Sequence, residues 1–138
     1  FTAALHTYVE VVDAGDQSKV FVKGLEGKKF IDKAIDVDNV QEKVASNTLL
    51  FGPSVGLFDR VYFDTEPEAL LHVGTGAAVA VENTAGWSDT VVWNPHETLD
   101  GEMWKHFVCV ESAAVSKRVK IETEKVWKAE TNLSIVNL

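Results

Sequence analysis

The segment from Trp87 to Glu111 constrains the fold more than any other part of the sequence. It contains two runs rich in β-branched and aromatic residues, separated by a stretch of polar and turn-forming residues at 94–101. We therefore predict two strands joined by a long loop. In the second run Phe107, Cys109 and Glu111 alternate with valines, so an aromatic ring, a thiol and a carboxylate share one face of the strand.

Short alternating segments recur along the rest of the chain, and each predicts a β-strand. They comprise one strand at 1–11, two hairpins and two final strands, with a loop of at most one helical turn at 34–46. The hairpins are 19–23 with 29–32 and 69–73 with 78–82, and the final strands fall between 119 and 135. Eight or nine strands with almost no helix predict an all-β fold, an antiparallel β-sandwich or half of a larger one.

Composition limits the class of partner. The chain of 138 residues is 46% hydrophobic, which is enough to build the core of one domain. A net charge of −8 disfavours nucleic acid and anionic membranes, since both would repel an acidic surface. A single cysteine forms no intrachain disulfide and no apolar run reaches membrane length, so we expect a reducing, cytoplasmic environment. The chain opens on Phe1 already in strand pattern, which predicts a piece of a longer polypeptide.

Three polar residues within predicted strands are candidates for a site, and each also has an ordinary structural explanation. His6 is most simply a strand histidine that bonds to a neighbour, and Glu111 an exposed acid at a strand end. Asp59 and Arg60 are adjacent, so they point to opposite faces of a strand and one of them faces inward. A structural network explains that arrangement as readily as a site does.

Four motifs change these interpretations. They are W-S-D-x-V-V-W-N-P with F-V-C-V-E at 87–95 and 107–111, L-H-T-Y at 5–8, G-L-x-G-x-x-F-x-D-K at 24–33, and D-R-V-Y at 59–62. Together they resemble the hexose-6-phosphate mutarotases, or glucose-6-phosphate 1-epimerases, of the aldose 1-epimerase superfamily. The resemblance covers essentially all of the chain but only the C-terminal half of the family's domain.

This resemblance implies a fold, a reaction and a set of site residues. Residues 1–138 would form the C-terminal part of one galactose mutarotase-like β-sandwich domain. His6 would be the general acid, Glu111 the general base and Asp59 a ligand of the sugar hydroxyls. The reaction interconverts the α and β anomers of a hexose 6-phosphate, and acid–base ring opening needs neither metal nor nucleotide. The implied partners are the hexose phosphate and the missing N-terminal half, as part of the same chain or a separate one, where the phosphate-binding basic groups are also expected.

Other classes of function fit the sequence less well. The histidines are scattered without a short ligand pair, so no metal site is predicted, and Cys109 is expected to be a small buried hydrophobe. The four tryptophans leave open a non-catalytic carbohydrate-binding module with a stacking platform. A third possibility is an assembly subunit that keeps the fold without activity. The joint presence of His6, Asp59 and Glu111 favours the enzyme.

Overall fold

Alternation of apolar and polar residues builds two antiparallel sheets that pack face to face. The computed structural model describes residues 1–35, 42–65 and 67–138, and in these ranges it contains eleven strands and no α-helix. The strands are β1 (Ala3–Leu5), β2 (Tyr8–Glu10), β3 (Val20–Lys23), β4 (Lys29–Asp32), β5 (Glu42–Val44), β6 (Phe58–Tyr62), β7 (Glu68–Val73), β8 (Ala77–Ala85), β9 (Asp89–Asn94), β10 (Phe107–Ala114) and β11 (Glu130–Asn137).

One sheet has seven strands and the other has four. The larger sheet runs in the order β1–β10–β9–β6–β4–β5, with β2 also paired to β10, and the smaller runs β11–β8–β7–β3. The predicted all-β, antiparallel sandwich is confirmed, although it contains more strands than the eight or nine expected. None of the described residues belongs to a helix that is long and apolar enough to cross a membrane.

The main hydrophobic core lies between the two sheets. Each fully buried aliphatic or aromatic side chain contributes about 1.5–3 kcal/mol to its stability. The fully buried members include Val20, Val22, Leu71, Val92, Val108, Val110 and the aromatic residues Phe51, Phe58 and Tyr62. The opposite face of the seven-stranded sheet carries a smaller apolar cluster around Val61, Val91 and Ala113. That second face holds the candidate site.

The predicted strand–loop–strand unit at 87–111 is confirmed as β9, a loop with two short 3₁₀ helices (His96–Thr98 and Met103–His106), and β10. The buried side chain of Asn94 anchors the loop, since its amide donates to the carbonyl oxygens of Trp104 and Phe107 at 2.8 and 2.9 Å. These bonds satisfy backbone groups in the turn and fix how β10 returns alongside β9. Glu111 thereby lies directly opposite Val91.

The first predicted hairpin is wrong. β3 pairs with β7 in the smaller sheet, whereas β4 pairs with β5 and β6 in the larger one, so the turn at 24–27 crosses from one sheet to the other. Gly24 adopts a φ of +92°, and a Cβ added there would lie 2.7 Å from the carbonyl oxygen of Glu68. Leu25 is buried in the core beneath the turn. Sequence alternation predicted both strands but not which neighbours they pair with.

Three further predictions need correction. The strand at 1–11 is interrupted at His6 and Thr7 into β1 and β2, although both halves pair with β10. The two final strands are one, β11, preceded by a segment that contains a turn and belongs to neither sheet. Of the predicted loop at 34–46, residues 36–41 lie outside the described residues and the rest includes β5. The predicted hairpin of 69–73 with 78–82 is confirmed as β7 and β8.

Candidate active site

His6 occupies the interruption between β1 and β2, at the rim of the seven-stranded sheet. A short turn, closed by the Thr7 amide donating to the Leu5 carbonyl at 2.9 Å, separates the two strands. The imidazole stacks on Tyr8 with ring centroids 4.7 Å apart and meets the edge of Trp93 at 5.5 Å. These rings orient the imidazole while half of its side-chain surface stays exposed. The ring is therefore held in place and still accessible to a ligand.

Glu111 lies beside His6 on the neighbouring strand, β10. Its carboxylate Oε1 is 3.3 Å from His6 Nδ1, and its side chain is only 6% exposed. The alternation that predicted Glu111 and Cys109 on one face is confirmed, because Val108 and Val110 on the other face enter the main core. A buried carboxylate is thus paired with an accessible imidazole.

The surroundings of Glu111 shift its ionisation. Burial raises the pKa of this carboxyl above its ordinary value of 4.5, and the negative charge of Asp59 raises it further. The positive charges of His6 and Lys33 act in the opposite direction. A carboxylate with a raised pKa is a stronger proton acceptor than an exposed one.

Asp59 lies across the same face of the sheet, on β6. Both of its carboxylate oxygens are 3.2 Å from the ammonium group of Lys33. Its neighbour Arg60 points to the core side, where Nε donates to the Asp32 carboxylate at 2.9 Å and the guanidinium lies over the Phe58 ring at 4.2 Å. The prediction that Asp59 and Arg60 point to opposite faces of the strand is confirmed, and Asp59 is the one that faces the cavity.

A cavity of about 710 Å³ joins these residues across five strands of the sheet or the turns beside them. Its lining combines apolar side chains with a few polar ones, as in typical small-molecule sites. The lining residues are Ala4, His6, Ile31, Lys33, Asp59, Val61, Phe63, Val91, Trp93, Glu111, Val115 and Ser116. All three site residues predicted from the sequence lie in this one cavity, while their roles stay predictions.

One end of the cavity is fixed by a buried carboxylate, Asp89. Its Oδ2 accepts hydrogen bonds from the backbone amides of Val115 and Ser116, both at 2.8 Å, and its Oδ1 accepts one from the Ser116 hydroxyl at 2.7 Å. Fully buried, Asp89 balances its loss of hydration with these three bonds. It therefore holds the chain that leaves β10 against the edge of the cavity.

Cys109 lies on the same face of β10 as Glu111 and close to His6. The histidine nitrogen, the thiol sulfur and a carboxylate oxygen of His6, Cys109 and Glu111 all lie within 4.8 Å of one another. Such a donor set suits zinc chemically. Spacing along the sequence does not reveal it, because strand pairing brings the three residues together. Burial, with the Glu111 charge, raises the pKa of the Cys109 thiol to about 12. The expectations of no metal and of an inert buried cysteine stay predictions.

The tryptophans do not form a common platform. Trp93 lines the cavity, Trp104 is buried in the main core, and Trp87 contacts Trp127 edge to face at 5.1 Å. A sugar-stacking module built from several tryptophans therefore has no basis in this arrangement. Of the four tryptophans, only Trp93 lines the cavity, where its ring lies beside His6.

Sequence reasoning missed Lys33 and Trp93 as cavity residues. Lys33 ends the motif at 24–33, and nothing in the sequence shows that it lies beside Asp59, because only the pairing of β4 with β6 brings the two together. Trp93 belongs to the central motif, where its alternation with Val92 predicts opposite faces without showing which face is lined by polar groups.

Known proteins resemble this chain in sequence and in fold. The chain is 34% identical over 131 residues to an Escherichia coli K12 protein named "Putative glucose-6-phosphate 1-epimerase", covering 90% of this chain and 42% of the relative. It is 29% identical over 143 residues to a Cenchrus ciliaris protein of the same name, covering 99% of this chain and 41% of the relative. A crystal structure of "a putative mutarotase (YeaD)" from Salmonella typhimurium superposes with a TM-score of 0.80 and 28% identity.

That superposition covers 99% of this chain and 46% of the crystal structure's chain. The chain therefore spans about two fifths of the length of the curated relatives it matches. No family model matches the sequence.

Proposed function

We propose that this chain belongs in sequence and fold to the aldose 1-epimerase family. It carries the acid–base pair of an enzyme that interconverts the α and β anomers of a hexose 6-phosphate, with glucose 6-phosphate the first candidate. Residues 1–138 are one part of a larger sandwich domain. The relatives are more than twice as long as the matched region, so the remaining part of the domain is the first partner of this chain.

The observation that carries the proposal is the 3.3 Å contact between His6 and Glu111 inside the cavity. Anomerisation moves two protons at two oxygens, the ring oxygen and the C1 hydroxyl, and both are bonded to C1. An acid and a base that serve them must therefore be close neighbours, as these two side chains are.

His6 donates a proton to the ring oxygen while Glu111 accepts the proton of the C1 hydroxyl, so the C1–ring oxygen bond breaks and an open-chain aldehyde forms. Rotation about C1–C2 then presents the other face of the aldehyde. In ring closure the hydroxyl formed from the ring oxygen attacks C1 and gives its proton to His6. Glu111 returns its proton to the carbonyl oxygen. Both side chains end in their starting states, and no oxidant or cofactor enters the balance.

Asp59 and Lys33 position the sugar ring opposite this pair. A carboxylate that is held by an ammonium group but still faces the cavity can accept hydrogen bonds from two neighbouring hydroxyls. Trp93 offers an apolar ring for the C–H face of the sugar. Together these side chains hold C1 towards Glu111.

The direct test is two-dimensional exchange NMR on glucose 6-phosphate with the full-length protein, after subtraction of the spontaneous rate. The proposal predicts faster exchange between the α and β signals, without added metal and in the presence of a chelator. A non-catalytic carbohydrate-binding or assembly subunit would bind sugar, or nothing, and leave the exchange rate unchanged.

The pH dependence follows from the raised pKa of Glu111. Only the ionised carboxylate accepts a proton, so kcat/KM should fall as the pH drops through a pKa above 4.5. Initial rates between pH 4 and pH 8, corrected for buffer catalysis, measure this limb. A rate that stays level down to the ordinary range of a carboxyl group would contradict the role of Glu111.

Replacing Asp59 with asparagine should raise KM about tenfold and change the melting temperature little, because its side chain acts in the cavity rather than in the core. Asp32→Asn is a matched control, since that carboxylate is paired with Arg60 on the core side of the sheet. It should lower the melting temperature and leave KM nearly unchanged. The reverse result would make Asp59 a structural residue.

A further inference from the structure

The cluster of His6, Cys109 and Glu111 has the spacing of a transition-metal site. One donor atom from each side chain lies within 4.8 Å of the other two, and His6 Nδ1 is 3.3 Å from Glu111 Oε1. Ligands about 2.0–2.3 Å from a tetrahedral zinc ion lie about 3.3–3.8 Å from one another. The widest gap between these donors therefore has to close by about 1–1.5 Å at most to hold one ion.

Strand pairing holds the three donors in this arrangement. Cys109 and Glu111 are two residues apart on β10, so their side chains share a face. Tyr8 of β2 lies directly opposite Cys109, and the imidazole of His6 stacks on the Tyr8 ring at 4.7 Å. The backbone and the stacked ring thus place the imidazole beside the thiol before any ligand arrives.

Charge and access also suit a divalent ion. Cys109 and Glu111 are buried, and a thiolate with a carboxylate would balance the two positive charges of Zn²⁺, so no net charge would be buried. The thiol proton would leave to solvent when the ion binds. His6 and Glu111 both line the cavity, which gives the ion a path of entry. Three protein ligands leave the fourth position of a tetrahedral ion for water.

We propose that this cluster binds a zinc ion, and that the ion inhibits anomerisation by occupying the acid–base pair. This differs from the absence of a metal site that the spacing of the histidines predicted. Metal ligands must be deprotonated, so a coordinated nitrogen of His6 has no proton to donate and a coordinated Glu111 oxygen is a weaker acceptor. The soft thiolate of Cys109 favours Zn²⁺ over Mg²⁺ and Ca²⁺. Zinc binding does not depend on the function proposed above, whereas the inhibition rests on it.

The binding test uses the full-length protein after removal of metal with a chelator. Titration with Co²⁺, a spectroscopic substitute for Zn²⁺, should produce a thiolate-to-cobalt charge-transfer band that Zn²⁺ abolishes and Mg²⁺ does not. Cys109→Ala should remove the band and weaken zinc binding, measured by calorimetry, about tenfold or more, since even residues that only orient a metal ligand contribute this much. His6→Asn, a change at a half-exposed side chain, should weaken zinc binding as well.

His106→Gln is the matched control, because His106 is an exposed histidine near the start of β10 and outside the cluster. It should change neither the cobalt band nor the affinity for zinc. Zinc should also slow the exchange between the anomers of glucose 6-phosphate in the wild type, and a chelator should restore the rate. In Cys109→Ala the same fractional inhibition, relative to that variant's own zinc-free rate, should need about tenfold more zinc.

The proposed function and the metal site fail separately. If the wild type without metal did not accelerate anomerisation, the proposed function would be wrong, while a cobalt band lost in Cys109→Ala would still support the site. A wild type without the band, or a Cys109→Ala variant that keeps it, would refute the site. An equal loss of affinity in His106→Gln would reduce the effect to binding by surface histidines and also overturn it. Zinc bound at the cluster without any loss of rate would refute the inhibition.

Discussion

Replacing Glu111 with glutamine should lower kcat for glucose 6-phosphate anomerisation about a hundredfold or more. Glutamine keeps the shape of the side chain and its contact with His6 but cannot accept a proton, and a general base typically contributes a factor of this size. The measurement is exchange NMR or polarimetry on freshly dissolved substrate, with the spontaneous rate subtracted.

The same variant should be at least as stable as the wild type. Because burial raises the folded-state pKa of Glu111, its carboxyl stabilises the folded protein most at low pH, and that contribution is lost as the pH rises through the raised value. The melting temperature of the variant relative to wild type should therefore increase with pH. Glu10→Gln, an exposed change on the neighbouring strand β2, should alter neither rate nor stability.

Near-unchanged exchange in Glu111→Gln would remove Glu111 from the mechanism. A large loss of melting temperature together with the loss of rate would point to a structural role instead. The two readouts therefore separate a proton acceptor from a residue that only maintains the sheet.

Expressed alone, residues 1–138 should self-associate and lack mutarotase activity. Adding the remaining part of the domain should restore both a monodisperse protein and the activity. Leu133 and Ile135 lie opposite Val81 and Val79, so they point to the core side of the smaller sheet, yet they are 53% and 78% exposed. Leu5, on the core side of the larger sheet, is 47% exposed.

The exposed apolar residues lie at the terminal strand of each sheet, β1 and β11. Open strand edges next to an uncovered apolar surface favour association with whatever chain covers them. The greater length of the relatives makes further strands of the same domain the expected cover.

Leu133→Gln with Ile135→Gln should weaken the self-association of the isolated chain by a factor of about a hundred or more, since burying the two side chains together is worth about 3–6 kcal/mol. Size-exclusion chromatography with light scattering across a dilution series measures it. Val126→Gln is the matched control, because Val126 is equally exposed but precedes β11 outside the sheets. A monomeric, fully active chain of 138 residues would contradict the prediction.

Local patterns in the sequence determined the strands that flank the site. Alternation placed Cys109 and Glu111 on one face of β10 and separated Asp59 from Arg60, because successive side chains of a strand point to opposite sides whatever the strand pairs with. Motif resemblance then singled out His6, Asp59 and Glu111, which the structure brings into one cavity.

Pairing was decided only by the tertiary structure. Two short strands on either side of a glycine turn satisfy the pattern of a hairpin, yet β3 and β4 enter different sheets because Leu25 is buried between them and Gly24 packs against the Glu68 carbonyl. Likewise, the pairing of β4 with β6 brings Lys33 beside Asp59, although the two residues are distant in sequence. Side-chain direction depends on the local backbone, whereas neighbours across a sheet depend on long-range hydrogen bonds and shared burial, which a local pattern does not record.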